Sequence, residues 1–125
     1  MNEDFALYEE AMGLKGLGFD EPCFGYYDAT NLEKYEYTAQ HGVKNSDFIF
    51  GMTAPLYQQA FRWFRDKHNI ISEIRSWNGT NSEWYFMIHN NGELLPWEWI
   101  ENKSYEEAEL ACLKELISIV KNEQK

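Results

Sequence analysis

An α+β fold built on a small antiparallel sheet is what this sequence predicts, and three observations carry that prediction. Two stretches, 54–67 and 105–121, repeat apolar residues at helical spacing. Two runs of strand composition, Ile70–Trp77 and Glu83–His89, are joined by Asn78-Gly79-Thr80-Asn81-Ser82, where Asn-Gly supplies the positive φ of a hairpin turn. The order of elements lacks the strand–helix alternation of a doubly wound parallel sheet. Together they give an antiparallel sheet containing a hairpin at about 70–89, covered by about three helices.

Taken in order, Phe5, Tyr8 and Met12 with Ala11 predict a first helix from Asp4 to Lys15, with Glu9 and Glu10 outside its apolar stripe. Gly13, Gly16 and Gly18 end it, since glycine admits the left-handed conformation that closes helices. Between Pro22 and Asp28, Cys23–Tyr27 suits a strand with Phe24/Tyr26 on one face and Cys23/Tyr27 on the other. Strand-like stretches also occur at Lys34–Thr38 and Asp47–Phe50. The second helix, 54–67, takes Thr53 as its cap and Pro55 in its first turn, and buries Leu56, Tyr57, Ala60, Phe61 and Phe64. In the hairpin's second run, Trp84, Phe86 and Ile88 share one face and Tyr85, Met87 and His89 the other, so it reads as a central strand covered on both sides. Leu94–Ile100 carries Trp97 and Trp99 around Glu98, and Pro96 makes it an edge strand or loop. The last helix, Tyr105–Lys121, opens on a capping box of Ser104 and Glu107, with Glu106, Glu107 and Glu109 at the positive end of its dipole. Its buried stripe is Ala108, Cys112, Leu113, Leu116, Ile119 and Val120.

Composition narrows the class. The 125 residues (14.8 kDa) carry 21 acidic and 11 basic side chains, a net charge of −10 and a pI near 4.7, yet 44% are apolar and 17% aromatic. Such a chain is not a disordered acidic tail, and we expect one globular domain, 1–125, that folds without disulfide or metal. Cys23 and Cys112 belong to no zinc-ligand spacing, so reduced thiols are expected. No run approaches the roughly 18 apolar residues of a membrane span, and Met1-Asn2-Glu3-Asp4 is acidic where a signal peptide is basic. The expectation is a cytoplasmic protein without a membrane partner.

Three segments, Leu17–Cys23, Ala54–Arg65 and Ser104–Leu113, resemble a family of small proteins from phages and prophages of gut bacteria, one without an established activity. The resemblance implies a phage or prophage setting inside a bacterial host and brings no site residue with it.

Acids concentrate near the ends, while 54–92 holds Arg62, Arg65, Lys67 and Arg75 against three acids. A surface this acidic does not displace counterions from phosphate, so direct nucleic-acid binding is not expected. It can steer a basic protein toward the chain, although a solvated, solubilising surface is the plainer reading. No HExxH, P-loop, GxGxxG or nucleophile elbow occurs, so no catalytic residue, metal ligand or cofactor is assigned. Arg62 and Arg65, one helical turn apart, form a small basic patch whose plainer reading is surface ion pairing. His89 ends an alternating strand, where a half-buried structural histidine is the plainer reading. Trp97 and Trp99, on one face if extended with Glu98 opposite, offer an aromatic anchor for a partner, with core packing as the plainer reading.

The sequence therefore predicts a non-enzymatic phage accessory protein that binds a host or phage protein, or a second copy of itself as a homodimer, through an acidic and aromatic surface. The alternative is a binder or processor of a small anionic molecule in an aromatic pocket gripped by Arg62, Arg65 or His89.

Overall fold

A computed structural model describes residues 5–28, 31–37, 42–47, 52–81, 83–95 and 104–124, with the backbone alone for 28 and 31–37. Its elements are α1 (Tyr8–Gly16), β1 (Gly25–Asp28), β2 (Asn31–Tyr37), a 3₁₀ turn at Asn45–Asp47, β3 (Met52–Ala54), α2 (Tyr57–His68), β4 (Ile70–Ser76), β5 (Trp84–Asn90), β6 (Glu93–Leu94) and α3 (Tyr105–Glu123). The α+β class holds, with the strands divided between two antiparallel three-stranded sheets, β2-β1-β3 and β4-β5-β6. The chain forms two compact units that meet in sequence inside α2, one reaching Gln59 and the other starting at Ala60.

In the first unit, Gly25 pairs with both Tyr37 and Ala54, and Tyr27 with Tyr35 and Met52. The alternation expected around β1 is present: Cys23, Gly25 and Tyr27 are buried, while Phe24 points to solvent. Phe5, Ala11, Tyr27, Met52 and Ala54 form the core, with Tyr8 packed at its margin and meeting Tyr27 edge-on at 5.9 Å. The Tyr27 hydroxyl donates to the Ala6 carbonyl at 2.9 Å, and burial together with Glu10 raises its pKa.

The helix starts at Tyr8 rather than Asp4. The backbone before it is already committed, since Phe5 bridges to Leu56 and the Ala6 N–H donates to the Pro55 carbonyl at 2.8 Å. The helix consequently presents a different face: Ala11, Leu14 and Glu10 are buried, and Met12 is 49% exposed. Of the three glycines expected to end α1, Gly18 performs the turn. It adopts φ +93°, its N–H donates to the Lys15 carbonyl, and the next N–H, of Phe19, donates to the Leu14 carbonyl, which is a Schellman closure.

Two further expectations are corrected. Asn45–Asp47 is a 3₁₀ turn, not the start of a strand, and 48–50 lie outside the described residues. Buried Asn45 holds that turn by donating to the Phe19 carbonyl at 2.7 Å and accepting the Thr53 N–H at 2.8 Å. Thr53 is therefore a β3 residue paired with Tyr26, not a helix cap, and α2 begins only at Tyr57. The later start rotates the buried stripe of α2 to Tyr57, Ala60, Trp63 and Phe64, and leaves Leu56 39% exposed.

In the second unit, β4 and β5 pair from Ile70↔Asn90 to Ser76↔Trp84, and β6 pairs on the other side of β5, so β5 is central, but not through the two-sided cover its composition suggested: Ile71, Trp77 and Leu94 on one face of the sheet are 46%, 50% and 45% exposed. The tight two-residue turn joins β5 to β6: Asn91 and Gly92 both take positive φ, 54° and 89°, the signature of a type I′ turn. Between β4 and β5 the Asn78-Gly79 segment lies in a longer loop, where Gly79 takes the expected positive φ, 79°. Asn78 Oδ1 accepts from Thr80 Oγ1 at 2.6 Å, and Ser76 Oγ donates to the Thr80 carbonyl at 2.6 Å, which closes that loop on itself.

The capping box of α3 is realised, with the Glu107 N–H donating to Ser104 Oγ at 3.1 Å. Ala108, Cys112, Leu113, Leu116 and Val120 are buried as the periodicity predicts. Ile119, expected in the buried stripe, is half-buried, and Glu109 is buried on the same helix.

Candidate functional site

Alternation in β4 and β5 gives their sheet two unlike faces. One carries Ile70, Ser72, Ile74 and Ser76 with Trp84, Phe86, Ile88 and Asn90. Helix α3 covers this face: the Cys112 thiol and the Ser72 side chain hydrogen-bond, Tyr105 meets Trp84 edge-on at 5.2 Å, and Asn90 Nδ2 donates to Glu123 Oε1 at 2.7 Å. The opposite face carries Ile71, Glu73, Arg75 and Trp77 with Tyr85, Met87 and His89, and Leu94 of β6 lies opposite His89.

Much of this second face is exposed. Ile71 is 46% exposed, Trp77 50% and Leu94 45%, while Tyr85, Met87 and His89 are half-buried between them. Its aromatic end is ordered by cross-strand contacts: Trp77 stands edge-on to Tyr85 at 5.7 Å, and Arg75 hydrogen-bonds the Tyr85 side chain. Arg75 also pairs with Glu73 at 3.0 Å. The face thus combines apolar contact area, a two-ring anchor and one internally neutralised charge pair, a composition that suits a protein surface with apolar projections.

The predicted site residues scatter. His89 lies on the open face, across from Ile71 and Leu94. Arg62 and Arg65 are exposed on α2, and Arg65 Nε sits 3.5 Å from Asp66 Oδ1, the surface ion pair of the plainer reading. Among the described residues, no hydrogen bond or ion pair joins either arginine to His89. His68 packs against Trp63, with ring centres 4.8 Å apart. Trp97, Glu98 and Trp99 lie outside the described residues. Ile71, Trp77 and Leu94 were not singled out by sequence, although their signal was present: in β4, Ile71 and Trp77 share the parity of the two charges, Glu73 and Arg75.

Both thiols are buried, and burial is the main reason that Cys23 is pushed up to about 11 and Cys112 to about 12. Cys23 donates weakly to the Glu21 carbonyl at 3.4 Å, with Thr53 and Gln59 side chains also beside it. Neither thiol is therefore ionised near neutrality, the state a nucleophile needs. Among the described residues, no three His, Cys, Asp or Glu side chains converge to hold a metal ion, and no helix is long and apolar enough to cross a membrane. Compared with protein-family models, curated proteins and solved structures, the chain matches none.

Proposed function

We propose that this chain is a non-enzymatic protein-binding module, of the phage or prophage accessory kind its sequence resembles, that receives a basic partner protein on the open face of β4–β6. The observation that carries the reading is the half-exposed set Ile71, Trp77 and Leu94 gathered on one sheet face beside Tyr85 and Met87. Single exposed apolar residues need no explanation, whereas several on one flat face match the anchors around which binding energy concentrates. The net charge of −10 favours a basic partner by steering its approach, and the apolar face then holds it.

The test uses the purified full chain to capture a partner from cells that carry its gene, followed by affinity measurement with that purified partner. Trp77→Ser with Ile71→Ser should weaken binding at least about tenfold, a loss of about 1.4 kcal/mol, while the circular dichroism spectrum and melting temperature stay those of the native chain. Unchanged affinity in that variant removes the open face from the account. Capture that depends instead on Arg62 and Arg65 transfers it to the basic patch of α2.

A further inference from the structure

We propose that β4 pairs edge to edge with β4 of a second copy of this chain, antiparallel about a two-fold axis at Ile74, so that two three-stranded sheets become one continuous sheet. This goes beyond the partner-binding reading and does not rest on it.

Strand order makes β4 an edge of its sheet. The phase of its hydrogen bonding is fixed at both ends, where the Asn91 N–H donates to the Asn69 carbonyl at 3.0 Å and the Trp77 N–H to the Glu83 carbonyl at 2.9 Å. In an antiparallel ladder bonded residues alternate, so Ile71, Glu73 and Arg75 turn their backbone groups to β5, and Ser72, Ile74 and Ser76 turn theirs outward. Among the described residues, no hydrogen bond takes up those outward groups. The strand also has no proline or bulge to blunt its edge, and its two charges, Glu73 and Arg75, are of opposite sign.

The residues along this edge are self-complementary. About Ile74, the segment Ile71-Ser72-Glu73-Ile74-Arg75-Ser76-Trp77 mirrors serine with serine, acid with base and an aliphatic with an aromatic side chain. Pairing centred there sets Glu73 opposite the partner's Arg75 twice, in the non-bonded positions where Cα atoms approach to about 4.5 Å and side chains interact most closely. Ile71 then faces the partner's Trp77 on the same open face, while Ser72 faces the partner's Ser76 on the other. Neighbouring registers fail on charge. Centring on Glu73 sets two glutamates together, and centring on Arg75 sets two arginines together. A centre between residues opposes outward backbone groups to groups already bonded within the sheet. The existing Glu73–Arg75 ion pair, with side chains 45% and 55% exposed, leaves both groups able to turn to a second copy.

Sedimentation equilibrium of the full chain tests this without any partner protein. Edge pairing belongs among the small interfaces, under about 1,200 Å², so association is sought across the micromolar range. The expected mass rises with concentration from 14.8 kDa toward twice that value. Glu73→Arg and Arg75→Glu should each weaken the dimer at least about tenfold, and the double exchange Glu73→Arg/Arg75→Glu should restore it, because it rebuilds both cross-pairs with reversed sign. Ile74→Pro removes the outward N–H at the centre of the proposed pairing together with a half-buried side chain on the α3 side, and, with folding checked by circular dichroism, should give a monomer. A wild-type chain that stays monomeric overturns the proposal, as does a dimer indifferent to Glu73→Arg or one that the double exchange fails to restore.

Discussion

At the scale of single residues, the two cysteines and Gly25 show burial deciding chemistry. A thiol that resists ionisation in the native state binds its proton more tightly there than in the unfolded chain. The corresponding stability is fully present below the ordinary value of 9.0 and declines as pH rises through about 11 for Cys23 and about 12 for Cys112. Unfolding free energy should therefore fall above pH 9, and Cys23→Ala/Cys112→Ala should flatten that fall, as measured by urea titrations at stepped pH. At neutral pH both thiols should react with a disulfide reagent only at the rate at which the chain opens. Gly25 is held by contact rather than by φ: a Cβ there would meet the Phe5 ring at 2.9 Å and the Ala54 carbonyl at 3.0 Å. Gly25→Ala should cost about 1–3 kcal/mol in denaturant unfolding, and Phe5→Leu, by opening space, should reduce that penalty in the double variant.

At the scale of elements, legibility followed how local the determining interactions are. Helix α3 could be read almost to the residue because its cap, dipole charges and apolar period lie within its own sequence. Ser104→Ala should remove the Glu107 bond and destabilise the second unit by about 1 kcal/mol, visible as a lower urea midpoint with unchanged slope. The paired runs of β4 and β5 were equally legible from composition. Helices α1 and α2 were mis-started because distant strands claimed their first residues. The Phe5–Leu56 bridge and the Asn45–Thr53 bond join positions that no local pattern connects. The Asn-Gly signal was equally local: Asn78-Gly79 lies in the loop joining β4 to β5 with Gly79 at positive φ, Asn78 accepts there from Thr80 Oγ1, and Asn91-Gly92 makes the tighter turn after β5.

At the scale of the whole molecule, the sequence pointed to a kind of surface and not to the residues of the β4–β6 face. Aromatic abundance and a net charge of −10 gave the expectation of partner binding, and of the residues singled out His89 falls on the exposed face. Ile71, Trp77 and Leu94 were passed over because β5, with apolar residues of both parities, was read as covered on both sides, and the charges sharing the parity of Ile71 and Trp77 in β4 were given no weight. Only the position of α3, on the Ser72–Trp84–Asn90 side, distinguishes them. The same open face can also be doubled by β4 pairing, which would give one partner two linked surfaces and strengthen its retention without any new kind of contact.

The most direct measurement places a photoreactive phenylalanine analogue at position 77, at position 94, or at exposed Ser118 of α3, and cross-links each chain to the captured partner. Partner adducts are expected from positions 77 and 94 and none from 118. Adducts from 118 alone, with 77 and 94 silent, would contradict this expectation and move the binding surface off the open sheet face.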